Sequence, residues 1–388
     1  MEQKMAVLDR LRTYMDRLIE TSDAQNPQWN MEKIQSGQPN KWNYIDGCMI
    51  HAILELYQCS KDEKYLRFAD SFMDWFVQED GSIRNYSTEE YNLDNVNPAK
   101  NLFVLYEATG KEKYRRAVDT VYQQLKNMPR TKDGNFWHKK IYPNQVWLDG
   151  LYMAQPFYME YETKYNHLEQ YNDIFQQFLN VQKHMKDEKT GLYFHGYDES
   201  RKMYWANKET GCSQNFWLRA IGWLAVALTD TLEQMDEQIY YEYRELEAML
   251  KNLIDALLPY QDAGGMFYQI VNHAEVPENY LETSGTALLA YAILKAVRLE
   301  LLPERYRVFG ERAFFGTIEK YLKTDTNGQL VLGGICLVAG LGGAQHRDGT
   351  IAYYLSELVV ENEAKGVAPL LMAYTEIIRK KDGRNYTV

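Results

Sequence analysis

The chain has 388 residues, a net charge of −11, 45% hydrophobic and 25% charged residues. This is the balance of a core-forming globular protein, and its negative charge argues against a nucleic-acid partner. No apolar run reaches about 18 residues, so no membrane span is expected.

The first segment, residues 1–23, lacks a continuous apolar stretch of the kind that leads a secreted chain. It predicts an amphipathic helix with Met5, Leu8, Leu11, Met15 and Leu18 on one face. Five further amphipathic helices are expected near Tyr65, Tyr114, Tyr171, Tyr243 and Tyr306. Each runs towards a glycine turn (Gly81, Gly134, Gly191, Gly264-Gly265, Gly328), read as the left-handed stop of the helix, and then a short alternating segment. Between them lie helices near 42–59, 97–110, 149–163, 215–234, 284–302 and 364–380, apolar around most of their circumference. Such helices are buried on all sides.

Twelve helices alternating in this way, with no βαβ pattern, predict an all-α closed double toroid of six helix hairpins with short β segments in its loops. No linker divides the chain, so one domain over 1–388 is expected. The four cysteines (Cys48, Cys59, Cys212, Cys336) show no metal spacing and are expected as reduced thiols in a cytoplasmic protein.

In a toroid, the loops leading into the inner helices converge on one mouth. Those loops include KWNYIDG (41–47) with Trp42, YNLDNVNPAKN (91–101) with Asp94, and FWHKKIYPNQVWLDGLYM (136–153) with His138 and Asp149. They also include YFHGYDES (193–200) with His195, and GCSQNFWLRAIGW (211–223) with Trp217, Arg219 and Trp223. Asp149 either caps its helix or is a general acid/base facing the cavity beside Trp147 and Met153. An aromatic wall and a second carboxylate would raise its pKa, while the helix N-terminus would lower it. Asp94 is the candidate second carboxylate, because Asn97 takes the capping role ahead of Pro98. Arg219 between two tryptophans suits a sugar face or a carboxylate. No GxSxG, P-loop or zinc spacing occurs; neither a metal nor a cofactor is expected. The glycine-rich GLGGAQHRDG (340–349) is expected to form a tight loop.

KWNYIDG, LDNVNPAKNL, NQVWLDGLYMAQPF, LYFHGYD, NFWLRAIGW and the segment from Val338 to Ala373 together resemble unsaturated rhamnogalacturonyl hydrolases, glycoside hydrolase family 105. The resemblance runs nearly the whole chain, in order. It implies an (α/α)6 barrel that removes 4,5-unsaturated galacturonic acid from products of pectin lyases. Asp149 would be the general acid/base and Asp94 its support. Trp42, His138, Met153, His195, Trp217, Arg219 and Trp223 would bind substrate. The partner implied is a small oligosaccharide, met by a monomer. The sequence departs from the family at Ala344-Gln345-His346, which bears on the leaving sugar. Two readings stay open beside it: an unsaturated glucuronyl hydrolase and a conventional inverting glycosidase with Asp149 and Asp94 as acid and base.

Overall fold

A computed structural model describes residues 2–236 and 239–379. Six inner helices are α3 (Tyr44–Ser60), α5 (Asn101–Thr109), α7 (Leu148–Tyr165), α9 (Leu218–Gln234), α11 (Thr283–Arg298) and α14 (Ala364–Ile378). Each packs on the next, α5 partly through the 3-10 turn Asn97–Lys100 that leads into it, and α14 packs back on α3. The ring is therefore closed. Six outer helices cover it: α1 (Glu2–Glu20), α4 (Glu63–Phe76), α6 (Glu112–Lys126), α8 (Tyr171–Met185), α10 (Tyr240–Leu257) and α12 (Arg307–Tyr321). Two short helices, α2 (Met31–Ser36) and α13 (Ile351–Ser356), lie in loops. The expected (α/α)6 barrel is the observed fold. Residue 380, the end of the last expected helix, lies outside the described residues.

The tyrosines that open the outer helices have a physical job. Tyr65 on α4 donates to Asp16 on α1, Tyr114 on α6 to Asp70 on α4, and Tyr306, just before α12, to Asp255 on α10. Each links an outer helix to the one before it. A hydrogen bond to a carboxylate contributes about 1.5–3 kcal/mol.

Some local expectations change. Leu8, Leu11, Met15 and Leu18 are buried as expected, but Met5, in the first turns of α1, is 46% exposed. The helices do not stop at their glycines. α4 ends at Phe76, and Gly81 (φ 86°) turns a small hairpin closed by the Val77–Ile83 bridge. Gly134, Gly191 and Gly328 sit in equivalent hairpins, each with a positive φ. Asn97 is not a cap; it is the first residue of the 3-10 turn and its side chain makes no capping bond.

These hairpins complete the barrel mouth. The first N–H groups of a helix have no partner inside it. At four entries to the inner ring a leading N–H donates to a carbonyl beyond the next hairpin: Leu93, at the head of the turn before α5, to His138 (3.1 Å), Leu148 to His195 (3.1 Å), Leu218 to Gln269 (3.0 Å) and Thr283 to Gly334 (2.8 Å). Ala364 closes the circle by donating to Trp29 (2.8 Å). The second of these latches extends into a ladder, in which β1 (Gln145–Trp147) pairs antiparallel with β2 (Gly196–Asp198) and Trp147 faces Gly196. Two other small ladders join β3 (Leu322–Thr324) to β4 (Leu330–Leu332), and β5 (Ile335–Cys336) to β6 (Val359–Val360).

Candidate active site

In two of these latches the side chain of the acceptor residue is set beside a carboxylate of the mouth. This is how His195 comes to Asp149 and His138 to Asp94.

Asp149 is the second residue of α7, not its cap; the cap position is Trp147, which makes no side-chain capping bond. Its carboxylate Oδ2 lies 3.2 Å from His195 Nε2, and among the described residues neither atom has another partner. His195 is fully buried and holds its other nitrogen, Nδ1, 2.8 Å from the Tyr354 hydroxyl. Its ring packs on Trp217 at 4.7 Å and meets the edge of Trp147 at 5.5 Å. Burial pushes the Asp149 carboxyl up, but His195, then His138, outweigh it, and the group ends below the usual carboxylate range. The expected raised pKa is thus reversed for the unliganded site. The neighbouring carboxylate does not supply the raising charge, because Asp94 is itself neutralised.

Asp94 lies in a 3-10 turn (Leu93–Asn95) whose backbone is pinned by the Asn92 side chain. Its Oδ2 is 2.5 Å from Lys139 Nζ and its Oδ1 is 3.6 Å from His138 Nε2. The sequence reading left Asp94 free; the structure gives it a cation. His138 is buried and stacks on Trp147 at 4.5 Å. Burial outweighs the Asp94 charge and pulls its pKa down to about 4, so the ring is neutral at ordinary pH. Trp147 thus separates the two carboxylate–histidine pairs, and Tyr142 stacks on its side at 5.0 Å.

The room for these groups comes from Gly150. A Cβ there would stand 3.1 Å from His138 Nδ1 and 3.1 Å from Leu93 Cδ1.

Arg219 is buried over the Trp217 ring at 4.7 Å. Its Nη1 donates to Ser284 Oγ (3.1 Å) and to the Cys336 carbonyl (2.5 Å). Burial opposes its charge, but the Cys336 thiol, Glu282, Tyr44 and Asp149 restore it, leaving the guanidinium above its ordinary pKa. Trp217 itself is fixed by Gln269 through its indole N–H (3.1 Å).

Trp42 is buried and donates to the Asn95 carbonyl (2.8 Å). It lines a cavity of about 980 Å³ together with Tyr44, Asp94 and Lys139; Asp149 is not among the lining residues. Met153 and Trp223 stand apart from this group. Met153 is buried one turn below Asp149, and Trp223 stacks on Tyr152 at 4.6 Å inside the barrel. Tyr44, Lys139, Trp147, Tyr354 and Gln269 join the site without having been singled out as its binding residues. Lys139 and Tyr44 adjoin singled-out residues in sequence; Gln269 and Tyr354 carry no such signal.

A helical toroid whose mouth carries two carboxylates, each beside a buried histidine, together with the family match over nearly the whole chain, makes this a glycoside hydrolase barrel. The chain belongs to Glycosyl Hydrolase Family 88, which it matches over residues 14–381. It is 44% identical to a family 105 glycoside hydrolase of C. acetobutylicum ATCC 824, covering 87% of this chain and 93% of that one, with a TM-score of 0.84. It is 40% identical over 231 residues to protein Atu3128 of Agrobacterium fabrum, spanning 58% of this chain and 97% of that one. The unsaturated rhamnogalacturonyl hydrolase YesR of Bacillus subtilis is 24% identical over 264 residues, 66% of this chain and 72% of that protein. An unsaturated glucuronyl hydrolase specific for heparin, 14% identical with a TM-score of 0.69 over 95% of this chain and 96% of that one, shares the fold.

Proposed function

We propose that this chain releases 4,5-unsaturated galacturonic acid from the non-reducing end of rhamnogalacturonan fragments left by pectin lyases. The observation that carries this reading is the Asp149–His195 pair, a carboxylate and an imidazole facing each other with no other protein partner, in a family whose relatives include such a hydrolase.

The substrate is a vinyl ether, with C5 bonded to the ring oxygen and doubly bonded to C4. Protonated Asp149 gives its proton to C4, and positive charge develops across C5 and the ring oxygen. The resulting carboxylate then takes a proton from water as the water oxygen bonds to C5. The product is a hemiketal, which opens and expels the leaving sugar. One group thus serves as acid and then base. Arg219, or the histidines, would meet the substrate carboxylate against the overall negative charge. His195, held by Tyr354, keeps the Asp149 carboxyl in line.

A glucuronyl hydrolase acting on sulfated fragments has less support here. The cavity beside Asp94 balances three lysines (Lys33, Lys41, Lys139) against Glu32, Glu90 and Asp94, so it offers no surplus positive charge. An inverting glycosidase would need Asp94 as a free base, and Lys139 occupies it. Four unpaired cysteines suit a reducing compartment such as the cytoplasm.

The test is to add a lyase-generated unsaturated pectin disaccharide and follow the ultraviolet absorbance of its double bond. Loss of absorbance with release of rhamnose supports the reading. Unchanged absorbance, with a saturated analogue cut instead, overturns it. Asp149→Asn should fold and lose turnover by roughly three orders of magnitude or more.

A further inference from the structure

Asp46 is the third residue of α3, as Asp149 is the second of α7. Both follow a bulky apolar residue and precede a glycine, in YIDG and WLDG, and both lie in the first turn of an inner helix. Their surroundings are opposite. Asp149 faces a histidine and is otherwise bare, whereas Asp46 is buried and accepts four side-chain N–H bonds. Its Oδ1 receives Trp29 Nε1 (2.9 Å) and Asn30 Nδ2 (3.2 Å). Its Oδ2 receives Asn40 Nδ2 (2.7 Å) and Asn43 Nδ2 (2.9 Å). No cation takes part.

The four donors sit at both ends of one segment, residues 29–43, which has little regular structure besides α2. Asn40 also ties back to the Ala24 carbonyl (2.8 Å), and Met31 N–H reaches Glu363 (2.8 Å). The segment forms one wall of the cavity that reaches Asp94, through Asn30, Lys33, Gln38 and Asn43; Asn85 and Asn92 stand on other parts of its lining. The lining is rich in amides, groups that donate to and accept from sugar hydroxyls without regard to charge.

We infer that Asp46 is a positioning residue: it gathers residues 29–43 into the wall that receives the leaving saccharide, and so sets the preference for longer substrates. This deepens the functional reading above and rests on it. A buried carboxylate with four donors is satisfied; an amide in its place is not. In Asp46→Asn, the amide nitrogen would face two N–H donors, leaving buried groups unpaired, a state that destabilises the local arrangement. The wall would loosen while Asp149, His195 and Arg219, held by other latches, stay in place.

Two substrates separate this role from simple loss of stability: an unsaturated galacturonide carrying a methyl aglycone, and one carrying a neutral oligosaccharide. The readout is the ratio of their kcat/KM values. In Asp46→Asn the ratio, oligosaccharide over methyl, should fall about tenfold or more, mostly through KM. Gln38→Ala, an exposed wall residue away from the Asp46 bonds, should lower the same ratio about threefold with an unaltered melting temperature. A ratio that stays at the wild-type value in Asp46→Asn, whether or not both rates drop, overturns the inference. Should that variant fail to fold, an unmoved ratio in Gln38→Ala overturns it. A wild-type protein that consumes both substrates equally well also overturns it, while leaving the hydrolase reading intact. One inert on both removes the functional reading, and the inference with it.

Discussion

Asp149 and His195 stand 3.2 Å apart, oxygen to Nε2, while Asp94 and His138 stand 3.6 Å apart in the preceding repeat. The two pairs are built alike and differ in what completes them. Lys139 completes the second on the carboxylate side, and among the described residues nothing besides His195 meets the Asp149 Oδ2 of the first. This difference separates a carboxylate held by a lysine from one that faces its histidine alone.

Asp149 is held below the usual carboxylate range in the free protein, yet the proposed chemistry begins with its protonated form. An anionic uronate bound nearby pushes a neighbouring carboxyl upward. Binding near neutral pH should therefore take up about one proton per site. Calorimetry of a saturated, unreactive uronide in buffers of different ionisation enthalpy measures this directly. No uptake would mean that Asp149 gains its proton in another way. By the same sign, the stability that the depressed pKa contributes is present above the unfolded value and lost as pH falls through the folded one.

His138 titrates the other way. Its pKa falls from about 6.5 in the unfolded chain to about 4, because burial disfavours the charged ring. Between these values the unfolded chain binds the extra proton, so stability falls as pH drops from 6.5 towards 4. The full effect is at most about 3 kcal/mol. Denaturant unfolding across this range should show the slope, and His138→Phe should flatten it.

Lys139→Met leaves the Asp94 carboxylate without its 2.5 Å partner at a largely buried position. Breaking a fully buried pair costs about 3–5 kcal/mol. Partial exposure of Lys139 reduces this to roughly 1–3 kcal/mol. Thermal melting gives the stability, and kcat should fall at least about tenfold if Asp94 orients the sugar. Lys139→Arg should retain most of both. Wild-type kcat in the Met variant would remove Asp94 and Lys139 from the proposed machinery.

Gly150→Ala places a methyl group 3.1 Å from both the His138 ring and Leu93. Overpacking of this kind costs about 1–3 kcal/mol. Because the strain falls on the Asp94–His138 pair, kcat should drop more than stability alone explains. A crystal structure of the variant should show the imidazole displaced.

Much of the architecture was legible in the chain. Apolar circumference marked the inner helices and tyrosine-led amphipathic runs the outer ones, since each pattern reflects how many sides of a helix are covered. Asp149 was legible because a charge at a buried helix start is conspicuous, and Asp94 because it stands in a loop leading to the same mouth. Depth along a helix was not. Trp223 shares a face with Arg219 but lies one turn further inside, where Tyr152 covers it. Met153 relates to Asp149 in the same way. The sign of the Asp149 shift also escaped, because its cause is His195, delivered by pairing of β1 with β2 from 46 residues away. Periodicity carries no record of such pairing. Lys139 was hidden by ordinariness: in the polar loop HKKIYPNQ (138–145) a lysine looks solvated until its carboxylate is seen.

The bond from Ala364 to the Trp29 carbonyl has a consequence for how the molecule is made. It joins the first loop to the last inner helix, and Trp29 also donates to Asp46. During synthesis the early helices must therefore wait for α14 to leave the ribosome before Trp29 finds its second partner. Until then the nascent chain is an open arc with an unfinished seam, and the seam closes last beside the segment that shapes the mouth.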